Sequence, residues 1–395
     1  MKKLLLTLLF AMQSSVLAGC WDRIEINDVA LVTGLGIDQI NEKNIELTAE
    51  MHIPRAIGGA GNPGGGSSSG NAQTFIRSGV GRTIADAISD LQQKIPRRVF
   101  WGQTKVVVFG EAMAKNGIRE QLDFLTRHSQ PRLRSYMFVA NGTAKDILVL
   151  LPPLERASSE VLREMAVSEV LKSVTLKELL QMVSGDGQGA SMPMVKKLTP
   201  EPGKKWKETI AYIHQTAIFK KDKMIGSIND NLTRGLLWIR DEIKEANITI
   251  EPEKGEGYIS SRILRADTEL IPRVEDGKWK VTVKASTTAD VIVNGSDLNL
   301  MNPEIVLKLQ KKLEEDIEHL MARTVQLVQK EMHADIFGFA EQFHRKYPQP
   351  WKSVKPNWEE RFPAVEVAFE VKANIRRPGL SGPPQGLPEE EVKQR

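Results

Sequence analysis

Few residues in this sequence have types and spacing suited to chemistry. Cys20 is the one cysteine in 395 residues, and it stands directly after Ala18 and Gly19. A thiol behind two small residues, which let a peptidase groove approach the backbone, is a nucleophile placed to take a diacylglyceryl group. The six histidines, His52, His128, His214, His319, His333 and His344, are scattered with no HExxH or similar spacing, so no metal site is expected. No GxSxG elbow occurs, and nucleophilic hydrolysis finds no support. Gly34 and Gly36 stand in TGLGID, but Gln39 occupies the third glycine position of a dinucleotide turn and a second strand follows where a helix should start. The glycine run within 58–71 lacks the lysine and hydroxyl that a phosphate cradle sets before a helix. The expectation is a protein with no catalytic constellation and no cofactor.

The elements ahead of Cys20 explain its position. Lys2 and Lys3 precede an apolar run over 4–12, polar residues at 13–15, and then Leu17, Ala18, Gly19 and Cys20. That order is a secretory signal peptide, with cleavage between Gly19 and Cys20. Its apolar run falls short of the roughly 20 residues that cross a bilayer, and no later uncharged run approaches that length. LAGC resembles the lipobox of bacterial lipoproteins. One acyl chain holds a protein marginally, at about 0.8 kcal/mol per buried CH₂, whereas the two chains of a diacylglyceryl thioether give a stable anchor. Lipid attachment at Cys20 and an extracytoplasmic body are therefore expected. A lone cysteine also excludes an intramolecular disulfide. The chain has 54 Lys and Arg against 50 Asp and Glu, with two of the lysines in the leader, so no nucleic-acid partner is expected.

Residues 20–395 exceed the roughly 250 to 300 at which one core tends to divide, so at least two domains are expected. Residues 27–38 read as a strand apolar on both faces. Residues 45–53 alternate apolar and polar as a half-buried strand, with a hairpin turn at 39–44. The glycine- and serine-rich stretch 58–71 reads as a mobile loop. Beyond it come a strand at 73–80, a helix at 82–95 ended by Pro96, a strand at 105–109, a helix at 111–128, a strand at 134–140 and a helix at 143–150. This alternation gives a mixed α/β N-terminal domain over 20–191, with a helical part at 155–184 in which Thr175 caps a second helix. The proline- and lysine-rich residues 192–207 read as an interdomain linker. A C-terminal α/β domain then spans 208–377: a strand pair around Lys221 and Asp222, a helix carrying Leu236, Leu237 and Trp238, three further strands, the middle two of the domain joined by a DG hairpin turn at 275–277, a long helix started by Asn302 and Pro303, and a final strand at 364–375. Residues 378–395 read as a disordered tail. The expected class is mixed α/β, α+β in layout, with mixed sheets packed by helices.

Basic doublets stand at Arg97–Arg98, Lys196–Lys197, Lys204–Lys205, Lys220–Lys221 and Arg376–Arg377. On an anchored body such groups have access to anionic headgroups, at about 1 kcal/mol per residue near the surface, with plain solvated surface as the simpler reading. Trp351 and Trp358, beside Tyr347 and several prolines, suit internal packing, with an exposed contact patch as the alternative. Arg97, Arg98, Trp351, Trp358, Arg376 and Arg377 are thus the candidate partner or membrane contacts.

Four segments carry a wider likeness. GCWDRIEINDVALVTGLGID at 19–38, RRVFWGQTKVVVFGEAMAKNGI at 97–118, FKKDKMIGSINDNLTRGLLW at 219–238 and DIFGFAEQFHRKYPQPWKSVKPNWEERFP at 335–363 resemble, in order, the Ger(x)C family, the C-subunit lipoproteins of bacterial spore germinant receptors. The glycine-rich insert at 58–71 is the main departure. The resemblance implies a noncatalytic subunit on the outer face of the spore inner membrane or cell membrane, beside a polytopic A subunit and a transporter-like B subunit that together answer nutrients such as amino acids and sugars. Two other classes compete with it. A solute-binding lipoprotein needs a polar-lined cleft between lobes, and a cell-wall hydrolase needs a carboxylate or metal pair in a groove.

Overall fold

A computed structural model describes residues 28–52, 74–128, 130–244, 246–252 and 256–377, with Pro388 and Val392 beyond them. The signal peptide, Gly19 and Cys20, the glycine-rich stretch 58–71 and nearly all of the tail at 378–395 lie outside the described residues.

The apolar run after the leader forms β1 (Val29–Gln39), and the alternating run forms β2 (Ile45–His52). They pair as an antiparallel hairpin closed by Ile40 donating to the Asn44 carbonyl at 3.0 Å. β2 is more deeply buried than its alternation implies, because Thr48 and Glu50 on its polar face are also covered. Then follow β3 (Thr74–Gly81), α1 (Ile84–Gln93), β4 (Arg98–Phe100), β5 (Val106–Phe109), α2 (Glu111–Asn116), α3 (Arg119–Arg127), β6 (Tyr136–Ala140), α4 (Ala144–Leu148), α5 (Ser158–Val167), α6 (Leu176–Ser184), β7 (Gly189–Lys197), β8 (Ala211–Lys220), β9 (Lys223–Asn229) and α7 (Asp230–Ile239). The single helix expected over 111–128 is two, broken at Gly117, whose φ of +123° is a conformation other residues rarely adopt. In the helical part expected over 155–184, the first helix stops at Val167.

All nine of these strands join one mixed sheet, in the order β3-β2-β1-β5-β6-β7-β8-β9, with β4 also against β1. This corrects the expected linker at 192–207. Residues 192–197 are strand β7, hydrogen-bonded to β6 on one side and β8 on the other, and 198–210 is the connection of the β7–β8 hairpin. Pro193 gave the stretch the look of a linker, yet Met192, Met194 and Val195 are buried core. The change of sheet comes after α7 instead.

The second sheet has the order β10 (Asn247–Ile250), β11 (Ile259–Glu275), β12 (Lys278–Asn294) and β13 (Glu366–Arg377). β11 and β12 turn at Asp276 and Gly277, both at positive φ, as a DG hairpin requires. Between β12 and β13 run α8 (Pro303–Leu327), α9 (Phe339–Lys346), α10 (Pro348–Val354) and α11 (Trp358–Arg361). Asn302 caps α8 by accepting from Glu304, Pro303 takes its first position, and Ile305, Leu309, Leu313, Ile317 and Met321 bury one stripe in the second core.

Three helices on this scaffold have their free N–H groups bound by buried carboxylates, two of them distant in sequence. Asp38 on β1 accepts from Ala144 and Lys145 at the start of α4, at 2.7 and 3.0 Å. Glu50 on β2 accepts from Ser158 and Ser159 at the start of α5, at 3.0 and 3.1 Å, where the N-cap residue Ala157 has no side chain able to do so. Burial raises both carboxyls above their ordinary values, Glu50 to about 7, against the lowering effect of these same hydrogen bonds.

Candidate functional site

The third such carboxylate is Asp335, at the junction of the two sheets. Its Oδ1 accepts from the backbone N–H of Gly338 and Phe339, both at 3.1 Å, and its Oδ2 from Ala340 at 2.8 Å and from the indole Nε1 of Trp358 at 3.1 Å. It therefore starts α9 and fixes the Trp358 ring together. Burial, with Glu341 nearby, raises its pKa to about 6 in spite of those donors.

The turn between α6 and β7, residues 185–189, closes on this point from the first sheet. Gln188 bridges to Asp335, and a Cβ on Gly189 would lie 2.4 Å from the Asp335 carbonyl oxygen, so only glycine allows the approach. Asp186 pairs with His344 of α9 and, at 2.9 Å, with Lys355, while Gly187 donates to Glu341 at 3.3 Å.

A second tie lies across the same junction. Lys172, in the connection from α5 to α6, is 2% exposed and binds Glu242, which follows α7. Arg240 donates to Glu242 at 2.8 Å and to the Ile336 carbonyl at 2.9 Å. Burial lowers the Lys172 pKa, with Glu242 opposing it; burial would raise Glu242, but Lys172 and Arg240 outweigh that and hold it below the usual carboxylate range. The lowered Glu242 carboxyl is the direction of an ion pair, in line with its contacts to both Lys172 and Arg240.

Around these ties opens a cleft of about 730 Å³, walled by the 169–182 stretch on one side and by residues 237–244, 268–270 and 335–345 on the other. Glu169, Glu178, Lys244, Glu269 and Arg345 give it a polar lining. The cleft meets the shape requirement of a solute site, but the buried Lys172 and Asp335 and the half-buried Glu242 are already bound to protein partners.

The six candidate contact residues are not brought together. Arg97 and Arg98 lie at β4, which pairs with the start of β1 in the first sheet, and Arg376 and Arg377 end β13 on the second, where Arg376 binds Asp290 at 2.9 Å. Trp351 and Trp358 are corrected as surface contacts. They are 1% and 3% exposed and pack against each other, Trp279 and Phe343 with ring centroids 5.0 to 6.3 Å apart, a mutual burial of large rings that supplies the second core. Asp335, Lys172 and Glu242 were not singled out from sequence. The DIFGF and GDGQG strings flag a turn, but nothing local tells that the two turns meet. Cys20 and Gly19 lie outside the described residues.

Among the described residues no group of three or more His, Cys, Asp or Glu is arranged to hold a metal, and no helix is long and apolar enough to cross a membrane.

Comparison with known proteins finds two adjoining family regions. Residues 22–197 match the spore germination protein N-terminal domain, and residues 214–379 match the spore germination B3/GerAC-like C-terminal domain. Similar proteins of Bacillus subtilis (strain 168) include spore germination protein KC, 26% identical with 97% of this chain and 98% of that protein covered, the putative spore germination protein YfkR, 28% identical with 92% and 94% covered, and spore germination protein B3, 24% identical with 93% and 96% covered. The crystal structure of the GerBC protein shares the fold, with a TM-score of 0.57 over 89% of this chain and all of that one, at 20% identity.

Proposed function

The chain belongs to the Ger(x)C family and its role lies in spore germination; from that footing we propose that it is the lipid-anchored, noncatalytic C-type subunit of a nutrient germinant receptor. In this reading Cys20 carries a diacylglyceryl group that holds the body on the outer face of the spore inner membrane. The body acts through contacts with A-type and B-type membrane subunits. The observation that carries the reading is the match of both family regions, in order, across the body that follows a leader ending in LAGC. The ties at the junction support it as well, since they lock the two sheets to each other as a body that transmits contacts would need.

The test is Cys20→Ala in the sporulating host. An unprocessed precursor, and spores that no longer answer nutrients because the body is diluted away from its partners, are expected. Normal processing and a normal nutrient response would refute the anchor.

A second reading has one observation in its favour, the polar-lined cleft of about 730 Å³. It makes the body a solute binder that captures an amino acid or sugar itself. Calorimetry of the soluble body separates the two: no saturable heat is expected, and saturable binding removed by Glu178→Ala or Arg345→Ala would establish the second reading.

A further inference from the structure

Two of the five basic doublets meet on one surface around an exposed tryptophan. The β7–β8 connection, 198–210, is held at its base by Leu198 donating to the Ile210 carbonyl at 2.9 Å, and residues 201–206 within it are all exposed. Trp206 is 50% exposed, with the ammonium groups of Lys197 and Lys207 each 5.0 Å from its ring centroid. Lys204 and Lys205 immediately precede it, while the Lys196 ammonium stands instead over Tyr212, 5.4 Å from that ring centroid. Four lysines, Lys197, Lys204, Lys205 and Lys207, thus stand against Glu201 and Glu208, and among the described residues none of their ammonium groups is in an ion pair.

A second segment joins the surface. Leu151 donates to the Lys207 carbonyl at 2.7 Å, which brings residues 151–156 alongside. There Leu154 is 93% exposed, and Leu151 and Leu198 are also exposed. Three large apolar side chains and an indole in water, rimmed by lysine, form a patch that a soluble surface has no reason to keep.

From this surface we infer that the 198–210 connection and the neighbouring 151–156 segment lie on an anionic lipid bilayer. An indole belongs at the headgroup level, where its ring is half in hydrocarbon and its N–H stays wet. Lysine ammonium groups reach anionic headgroups from flexible stems while those stems lie along apolar surface. A protein partner fits less well, since protein interfaces are depleted in lysine and enriched in arginine, and the two segments place four lysines, Lys197, Lys204, Lys205 and Lys207, against one arginine, Arg156. The patch does not depend on Cys20, so it stands or falls apart from the anchor.

The mature chain, residues 20–395, prepared without lipid, is mixed with vesicles of phosphatidylcholine alone or with phosphatidylglycerol added. Trp206 is the exposed tryptophan among the described residues, the other five being buried, and with Trp21, which lies outside them, replaced by Phe in every sample, quenching by brominated acyl chains reports this patch. Binding to the anionic vesicles, quenching that disappears in Trp206→Phe, and a partition coefficient reduced about tenfold or more by Lys204→Glu with Lys205→Glu are expected. Equal binding to neutral vesicles, binding without quenching, or equal binding of soluble polyglutamate that competes with vesicles would overturn the inference, the last in favour of an acidic protein partner. Far-UV circular dichroism of the surface variants matching the parent keeps a misfolded variant from counting as support.

Discussion

Replacing Asp335 with alanine removes the acceptor for three N–H groups at the start of α9 and for the Trp358 indole. Loss of a helix cap costs about 0.5–2 kcal/mol, and a buried indole N–H left without a partner costs about 1–3 kcal/mol more. A total of about 3 kcal/mol is a large share of the roughly 5–15 kcal/mol that holds a domain folded. The sign with pH follows from the raised carboxyl, at about 6 in the folded protein. A folded-state pKa above the unfolded one means the folded state binds the proton more tightly, so the contribution is complete below the unfolded pKa and is lost as pH rises through the folded one. Between about pH 5 and about pH 7.5 the parent loses about 1.4 kcal/mol through this group, and the alanine variant has nothing there to lose. Asp335→Ala therefore destabilises more at the lower pH. Urea unfolding followed by the fluorescence of the Trp279, Trp351 and Trp358 cluster measures it at both values. A difference between parent and variant that is equal at the two pH values, or larger at the higher, would show that burial does not govern this carboxylate.

The same reasoning applies to Glu50, raised to about 7. Glu50→Gln keeps the volume without a charge, so relative to the variant the parent is expected to lose about 2 kcal/mol between about pH 5.5 and about pH 8, measured by the same unfolding series. Glu242→Ala leaves the Lys172 ammonium buried and unpaired and is expected to cost about 3–5 kcal/mol, whereas Lys172→Met in the same background recovers most of the loss, which a double-mutant cycle by chemical denaturation checks.

Much of the architecture is legible from local pattern. The α8 stripe, the positive-φ turn at Asp276 and Gly277, the Thr175 cap and the two-faced burial of β1 each depend on residues within a few positions of one another. What is hidden depends on distant ones. Glu50 sits in an alternating strand where a polar residue reads as solvent-facing, and only the arrival of α5, 108 residues later, turns it inward. Met192 to Lys197 reads as linker because proline and lysine dominate locally, while the neighbours that make it a strand come from β6 and β8. The proposed lipobox at Cys20 is read from a linear stretch of chain alone, and that stretch lies outside the described residues. The surface around Trp206 was half legible, as two doublets in sequence but with no sign that 151–156 comes to lie beside them.

The anchor proposed at Cys20 and the lipid contact inferred at Trp206 would together constrain how the body lies. β1, β5, β6 and β7 are parallel, so the connection that leaves β7 at Lys197 is at the end of the sheet opposite Val29. An 11-residue strand such as β1 runs about 36 Å, whereas the chain from Cys20 to Val29 reaches at most about 30 Å when fully extended. With the strands upright on the membrane, one of the two contacts must be given up. Both are satisfied only when the first sheet is inclined, with its β7–β8 end against the lipid and its β1 start raised no higher than the tether permits.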